Sequence, residues 1–274
     1  MEKYITYLKE QEKSEATIEK YVRDLNRFKE YAAKCVGDGA LDIPKKETLI
    51  AYKNHLAENY SLVSANSMLA SLNSYLSFIG RGDLKVKQFK IQKKTYRSEE
   101  KELTKAEYKR LIKAAKENKR LDLIIRTICG TGIRVSELKY IDAESVRQGE
   151  FTVTCKNKTR TVFIVKELQK KLLKYIQDND IKGTVFVTKT GKPVDRISIW
   201  RDMKKLCQKA EVNPKKVFPH NLRHLFARTF YGIEKDIAKL ADILGHSSID
   251  TTRIYIITTG AEHRRRMENM HLVM

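Results

Sequence analysis

Apolar residues recur at helical spacing through the first 80 positions of the chain. Ile18, Tyr21, Val22, Leu25, Phe28 and Ala32 fall on one stripe, with Ser14 placed to cap the helix that carries them. Leu49, Ile50, Tyr52 and Leu56 predict a second helix that Pro44 can open, and Leu69, Leu72, Leu76 and Ile79 predict another over 62–79. Gly80-Arg81-Gly82 breaks the pattern. Over 81–101 the periodicity is weak, and eight basic residues face three acidic ones. That stretch reads as a connector, which either follows a phosphate backbone through Lys90, Lys93 and Lys94 or is a solvated strap.

A second region begins at 102, where Thr104 and Glu107 have capping-box spacing ahead of a helical run through Ala115. The period then shortens. Phe151–Cys155, Thr161–Val165 and Val185–Val187 are β-rich and separated by polar turns, which predicts a small antiparallel sheet. Helical spacing returns over Ser198–Ala210, Leu222–Tyr231 and Lys235–Leu244. The expected organisation is therefore a mainly α chain: a helical domain over 1–80, a basic linker over 81–101 and a mixed domain over 102–274.

Composition narrows the partners. A chain of 274 residues with 41% hydrophobic content can build real cores, while a net charge of +21 points to a polyanion such as nucleic acid. No run approaches the roughly 20 apolar residues of a membrane span, and the start has no signal-peptide pattern, so a cytoplasmic protein without membrane attachment is expected. The four cysteines are scattered, which argues against a zinc site or disulfide framework.

Three short motifs carry candidate chemistry. Arg134 follows the Thr131-Gly132 turn, with Glu137 one helical turn later. His220 and Arg223 are spaced to share one face at a helix start marked by Pro219. Leu244-Gly245-His246-Ser247-Ser248 reads as a helix stop followed by a new capped helix, and Tyr255 stands nine residues after His246. The stretch Thr251–Thr259 around that tyrosine is rich in β-branched residues that favour helix poorly, so this segment is expected to move between docked and undocked states. Each motif alone fits an ordinary surface or packing role.

Taken together, in this order, they resemble the tyrosine recombinase (phage integrase) family, in its simple two-domain Xer-like or invertase-like form. The resemblance implies a SAM-like core-binding domain, a catalytic domain and an enzyme that cleaves and rejoins DNA through a 3′-phosphotyrosine. It gives Arg134 and Arg223 to the scissile phosphate, Glu137 to support, Tyr255 to nucleophilic attack, and His220 and His246 to proton handling or orientation. The family's catalytic lysine lies in a turn between strands. Here that turn is Cys155-Lys156-Asn157-Lys158; Lys156 aligns best and Lys158 is the rival. The implied partners are duplex DNA with inverted-repeat half-sites and further copies of the chain, a tetramer during exchange; no metal or other cofactor is implied. The competing expectations are a topoisomerase-like or end-resolving enzyme, and a DNA-binding protein that does not cleave. The tail around 262–267 reads either as a helix that docks on a neighbouring protomer or as a basic end.

Overall fold

In the computed structural model, the described residues are 1–36, 45–92, 101–155, 158–188, 190–256, 264–265 and 267–270. Pro44, Lys93, Lys94 and Lys156 lie outside them. The chain divides into two compact units, 1–93 and 94–274.

The first unit contains α1 (Glu2–Glu10), α2 (Glu15–Val36), α3 (Lys46–Asn59) and α4 (Leu62–Phe78). The expected stripe meets its partners: Leu25, Phe28, Leu49, Leu56, Leu69, Leu72 and Leu76 are fully buried. Burying each such side chain contributes about 1.5–3 kcal/mol. Ile50 departs from expectation and is exposed, because its neighbour Leu49 occupies the core position. One buried carboxylate crosses the helix interface, where Asp24 accepts from Lys20 Nζ at 2.6 Å and from Ser71 Oγ at 2.8 Å.

The segment after α4 is fastened to that helix. Asn73 exchanges two hydrogen bonds with the backbone of Val86, at 2.9 Å each, and Asn66 two with Phe89 at 2.9 and 2.8 Å. Seven residues is two helical turns, so the two amides lie on one face and hold an extended strip along it. Leu84 and Val86 are consequently buried in the first unit's core, whereas Lys90 is exposed.

The second unit opens with the expected capping box, Thr104 and Glu107, on α5 (Lys105–Ala114). It continues through α6 (Lys119–Thr131), α7 (Ala143–Gln148), β1 (Glu150–Cys155), β2 (Lys158–Phe163) and α8 (Lys166–Asp178). It then runs through α9 (Arg196–Lys209), α10 (Pro219–Glu234), α11 (Ile237–Leu244) and α12 (Ile249–Ile256). Among the described residues the sheet has two strands, not three, with Val153 opposite Arg160 and Phe151 opposite Val162. Val185 and Phe186 are buried in the core but form no ladder; only isolated bridges, Asp142 with Thr184 and Val187 with Pro193, occur there. Apolar β-branched residues report burial here rather than strand pairing. Lys235, expected at the start of α11, instead ends α10 in the left-handed conformation, with φ 58°.

Candidate active site

Two helix ends meet at one guanidinium. α6 stops at Gly132 and α11 at Gly245, both left-handed, with φ 69° and 64°. Neither position has room for a side chain: a Cβ on Gly132 would strike the Phe226 ring, and one on Gly245 would sit 2.8 Å from Arg160 Nη1. Carbonyls at such ends lack helical partners and lie at the negative pole of the helix. Arg223, in the second turn of α10 and 1% exposed, supplies the missing donors. Its Nη1 donates to Gly132 O at 2.6 Å and its Nη2 to Leu244 O at 2.7 Å. Burial, reinforced by Arg134, lowers its pKa to about 10, which leaves it charged at neutral pH.

Arg134 follows Gly132 by two residues and caps a short 3₁₀ turn over Val135–Tyr140. Glu137, 2% exposed, accepts from Arg134 N at 2.8 Å and Arg134 Nη1 at 2.9 Å. The same carboxylate accepts two bonds from Arg160, Nη1 at 3.2 Å and Nη2 at 2.7 Å, while Arg160 Nε donates to Ile243 O at 3.1 Å. Burial pushes the Glu137 carboxyl upward, but Arg160 and the Arg134 amide outweigh it and hold the group below its ordinary range. The Arg134 side chain keeps 35% of its surface exposed, against 13% for Arg160.

His246 extends the network. Arg223 Nη2 lies 2.9 Å from His246 Nε2, and arginine has only donors, so Nε2 accepts. The ring proton therefore sits on Nδ1 and is donated to Thr252 Oγ1 at 2.8 Å. Burial, followed by the nearby Arg223, Arg134 and Arg160 charges, lowers the imidazole to a pKa of about 4. His246 is thus a neutral brace with both nitrogens engaged.

Thr252 is fully buried and lies one turn before Tyr255 on α12. Tyr255 is 5% exposed and packs among His224, His246 and His220, with ring centres at 4.1, 5.3 and 5.5 Å. Arg223 Cζ is 5.9 Å from its ring centre. The tyrosine oxygen favours the charged form of Arg223, yet no well-directed hydrogen bond joins them and Arg223 Nε has no partner. The β-branched segment is helical through Ile256 in spite of its propensities, since the Thr252–His246 bond and the buried Tyr255 ring fix it from outside; residues 257–259 lie outside the described residues.

Arg134, Arg223 and exposed His220 border a cleft of about 660 Å³, which Ile197 and Trp200 also line. The structure therefore brings Arg134, Glu137, His220, Arg223, His246 and Tyr255 together; Lys156, which falls between β1 and β2 in the sequence, lies outside the described residues. Sequence reasoning missed Arg160, Thr252 and His224. Arg160 did carry a signal: it lies two residues before Val162, on the strand face that buries Phe151 and Val153, where a charge demands a partner. Among the described residues no helix is long and apolar enough to cross a membrane, and no group of three His, Cys, Asp or Glu is gathered for a metal.

Residues 101–261 match the phage integrase family, and residues 1–81 match the phage integrase N-terminal SAM-like domain. The chain belongs to the phage integrase family. It is a tyrosine-type site-specific DNA recombinase, and its helical first domain and mainly helical catalytic domain with a small antiparallel sheet are those implied by the motifs. Tyrosine recombinase XerA of Pyrococcus furiosus is 30% identical over 284 residues, spanning 100% of this chain and 94% of XerA. A crystal structure of XerA recombinase is similar with a TM-score of 0.56 at 26% identity, covering 99% of this chain and 97% of that one. A lambda integrase tetramer bound to a Holliday junction shares the fold at 16% identity, with a TM-score of 0.72 over 93% of this chain and 75% of that one.

Proposed function

We propose that Arg134 and Arg223 clamp the non-bridging oxygens of the scissile phosphate and that Tyr255 of the same protomer attacks its phosphorus. The observation that carries this reading is that two guanidiniums and an exposed imidazole border one cleft, with the buried Tyr255 ring packed against that imidazole and against Arg223. Negative charge grows on the phosphate oxygens during attack, and fixed, permanently charged donors stabilise it without reorganising. Tyr255 must lose its proton on attack. His246 has both ring nitrogens occupied, and we assign the proton to His220, which is exposed at the cleft with its ring centre 5.5 Å from that of Tyr255, directly or through water.

The Tyr255 oxygen–phosphorus bond forms as the bond to the 5′ oxygen breaks, and Lys156 gives that leaving oxygen its proton. A 5′ hydroxyl from another strand reverses the step, so exchange conserves the phosphoester bond and consumes no nucleotide. The substrate is duplex DNA carrying inverted-repeat half-sites, with Lys90, Lys93 and Lys94 along its backbone. Strand exchange uses four copies of the chain, as in the lambda integrase tetramer on a Holliday junction.

A nicked suicide substrate tests the assignment. Wild type should trap a covalent adduct on Tyr255, whereas Tyr255→Phe should bind the site and form none; an adduct mapped to Tyr231 would exclude the assignment. For Lys156, sulfur in place of the 5′ bridging oxygen makes a leaving group that needs no proton. Lys156→Ala should cleave that substrate well and the ordinary one poorly, and rescue of Lys158→Ala instead would move the role to Lys158.

A further inference from the structure

Glu137 poses an electrostatic problem for the clamp that the family motifs leave unaddressed. A buried carboxylate 2.9 Å from Arg134 holds that side chain in place, but it also cancels the charge that the phosphate is meant to meet. Arg134 and Glu137 alone sum to zero. Arg160 changes the sum: two guanidiniums then share one carboxylate, and the group retains one positive charge. The pairing is asymmetric as well. Arg160 gives Glu137 two bonds and its side chain is 13% exposed, while the Arg134 side chain is 35% exposed and borders the cleft.

We infer that Arg160 is a positioning residue that satisfies Glu137 from behind, so that the charge of Arg134 remains available to the scissile phosphate. Two further contacts place it. Its Nε bond to Ile243 O ties β2 to the end of α11, and its side chain occupies the space a Cβ on Gly245 would need, directly before His246. Arg160 thereby joins β2 to Glu137, which holds Arg134, and to the end of α11, where Leu244 O holds Arg223. A lysine there offers a charge but no planar pair of donors, so it cannot reproduce the bidentate contact.

This inference rests on the phosphate-clamp reading, and its test separates the two. Single-turnover adduct formation on the nicked substrate would be measured for wild type, Arg160→Ala, Arg160→Lys and the double variant Glu137→Gln/Arg160→Ala. Melting curves and DNA binding would be recorded alongside. Arg160→Ala should slow cleavage by about 10²-fold, in the range of losing one charged donor to a transition state. Arg160→Lys should fall between it and wild type. The double variant should be at least about tenfold faster than Arg160→Ala, because the neutral amide that replaces the Glu137 carboxylate no longer cancels Arg134.

A methylphosphonate at the scissile position, which lacks one anionic oxygen, should shrink the gap between Arg160→Ala and wild type. If Arg160→Ala does not fold, Arg160→Gln supplies the same comparison, keeping a donor for Ile243 O without the charge. Wild-type rates for Arg160→Ala would overturn the inference. So would a double variant no faster than the single one, or an equal loss on both substrates, since each assigns Arg160 to packing alone. A wild-type protein that forms no Tyr255 adduct sinks the clamp reading and this inference with it; an active wild type without rescue sinks only the inference.

Discussion

The two units of the protein both bury charge between helices, and they balance it differently. In the first, Asp24 meets Lys20 and the Ser71 hydroxyl, and the one negative charge faces one positive charge. In the second, Glu137 is the carboxylate paired with both Arg134 and Arg160, and Arg223 adds a third guanidinium held by neutral carbonyls and a neutral imidazole. The first cluster is complete in the folded chain. The second retains an excess of positive charge, held in place by helix ends and hydrogen bonds, which an incoming phosphate can match. Burying uncompensated charge is unfavourable. On the phosphate-clamp proposal, the missing anion is the substrate.

This contrast is open to attack at both ends. The largest expected effect belongs to Arg223: Arg223→Lys should lower the cleavage rate by about 10³-fold, because an ammonium cannot serve two carbonyls, His246 and a phosphate together. Near-normal cleavage by that variant would remove Arg223 from the clamp. Asp24→Asn should instead act on stability, by about 1–3 kcal/mol, through the loss of an ionic partner for Lys20 and Ser71. Urea unfolding would show the loss while the folded fraction cleaves at the wild-type rate; a slowed chemical step would mean that the two clusters are not independent.

The smallest effect is a pH dependence from His246. Its folded pKa of about 4 lies below the ordinary 6.5, so the unfolded chain binds the extra proton first. The stabilisation from a neutral His246 is fully present above about 6.5 and is lost as pH falls toward about 4. An NMR titration of the imidazole should show it still mostly neutral as the pH falls from about 7 to about 5. A midpoint near the ordinary value of about 6.5 would contradict the assigned tautomer and the brace it forms.

Helical repeats and capping signals announced most of the helices, because amphipathic spacing is a local property. Arg134, His220, Arg223, His246 and Tyr255 were legible for another reason: each sits beside a turn residue, a helix start or a fixed interval that survives in one dimension. The partners that give these residues their electrostatic character were less visible. Gly132 O and Arg223 are 91 positions apart, and Arg160 and Ile243 are 83. A backbone carbonyl has no letter of its own. Thr252 looked like a helix-weakening residue because its bond to His246 exists only once α12 is packed. The supposed third strand failed similarly, since Val185 and Phe186 are apolar to fill a core and not to extend a ladder.

The convergence of α6 and α11 on Arg223 has a consequence for chains caught part-way through folding. The guanidinium is fixed only when Gly132, Leu244 and His246 have all arrived, and Tyr255 is held only when α12 has closed over them. A molecule with any one of these helices undone retains basic surface for DNA but lacks an assembled cutting centre. If Tyr255 is the nucleophile, as proposed, release of α12 alone disarms the enzyme.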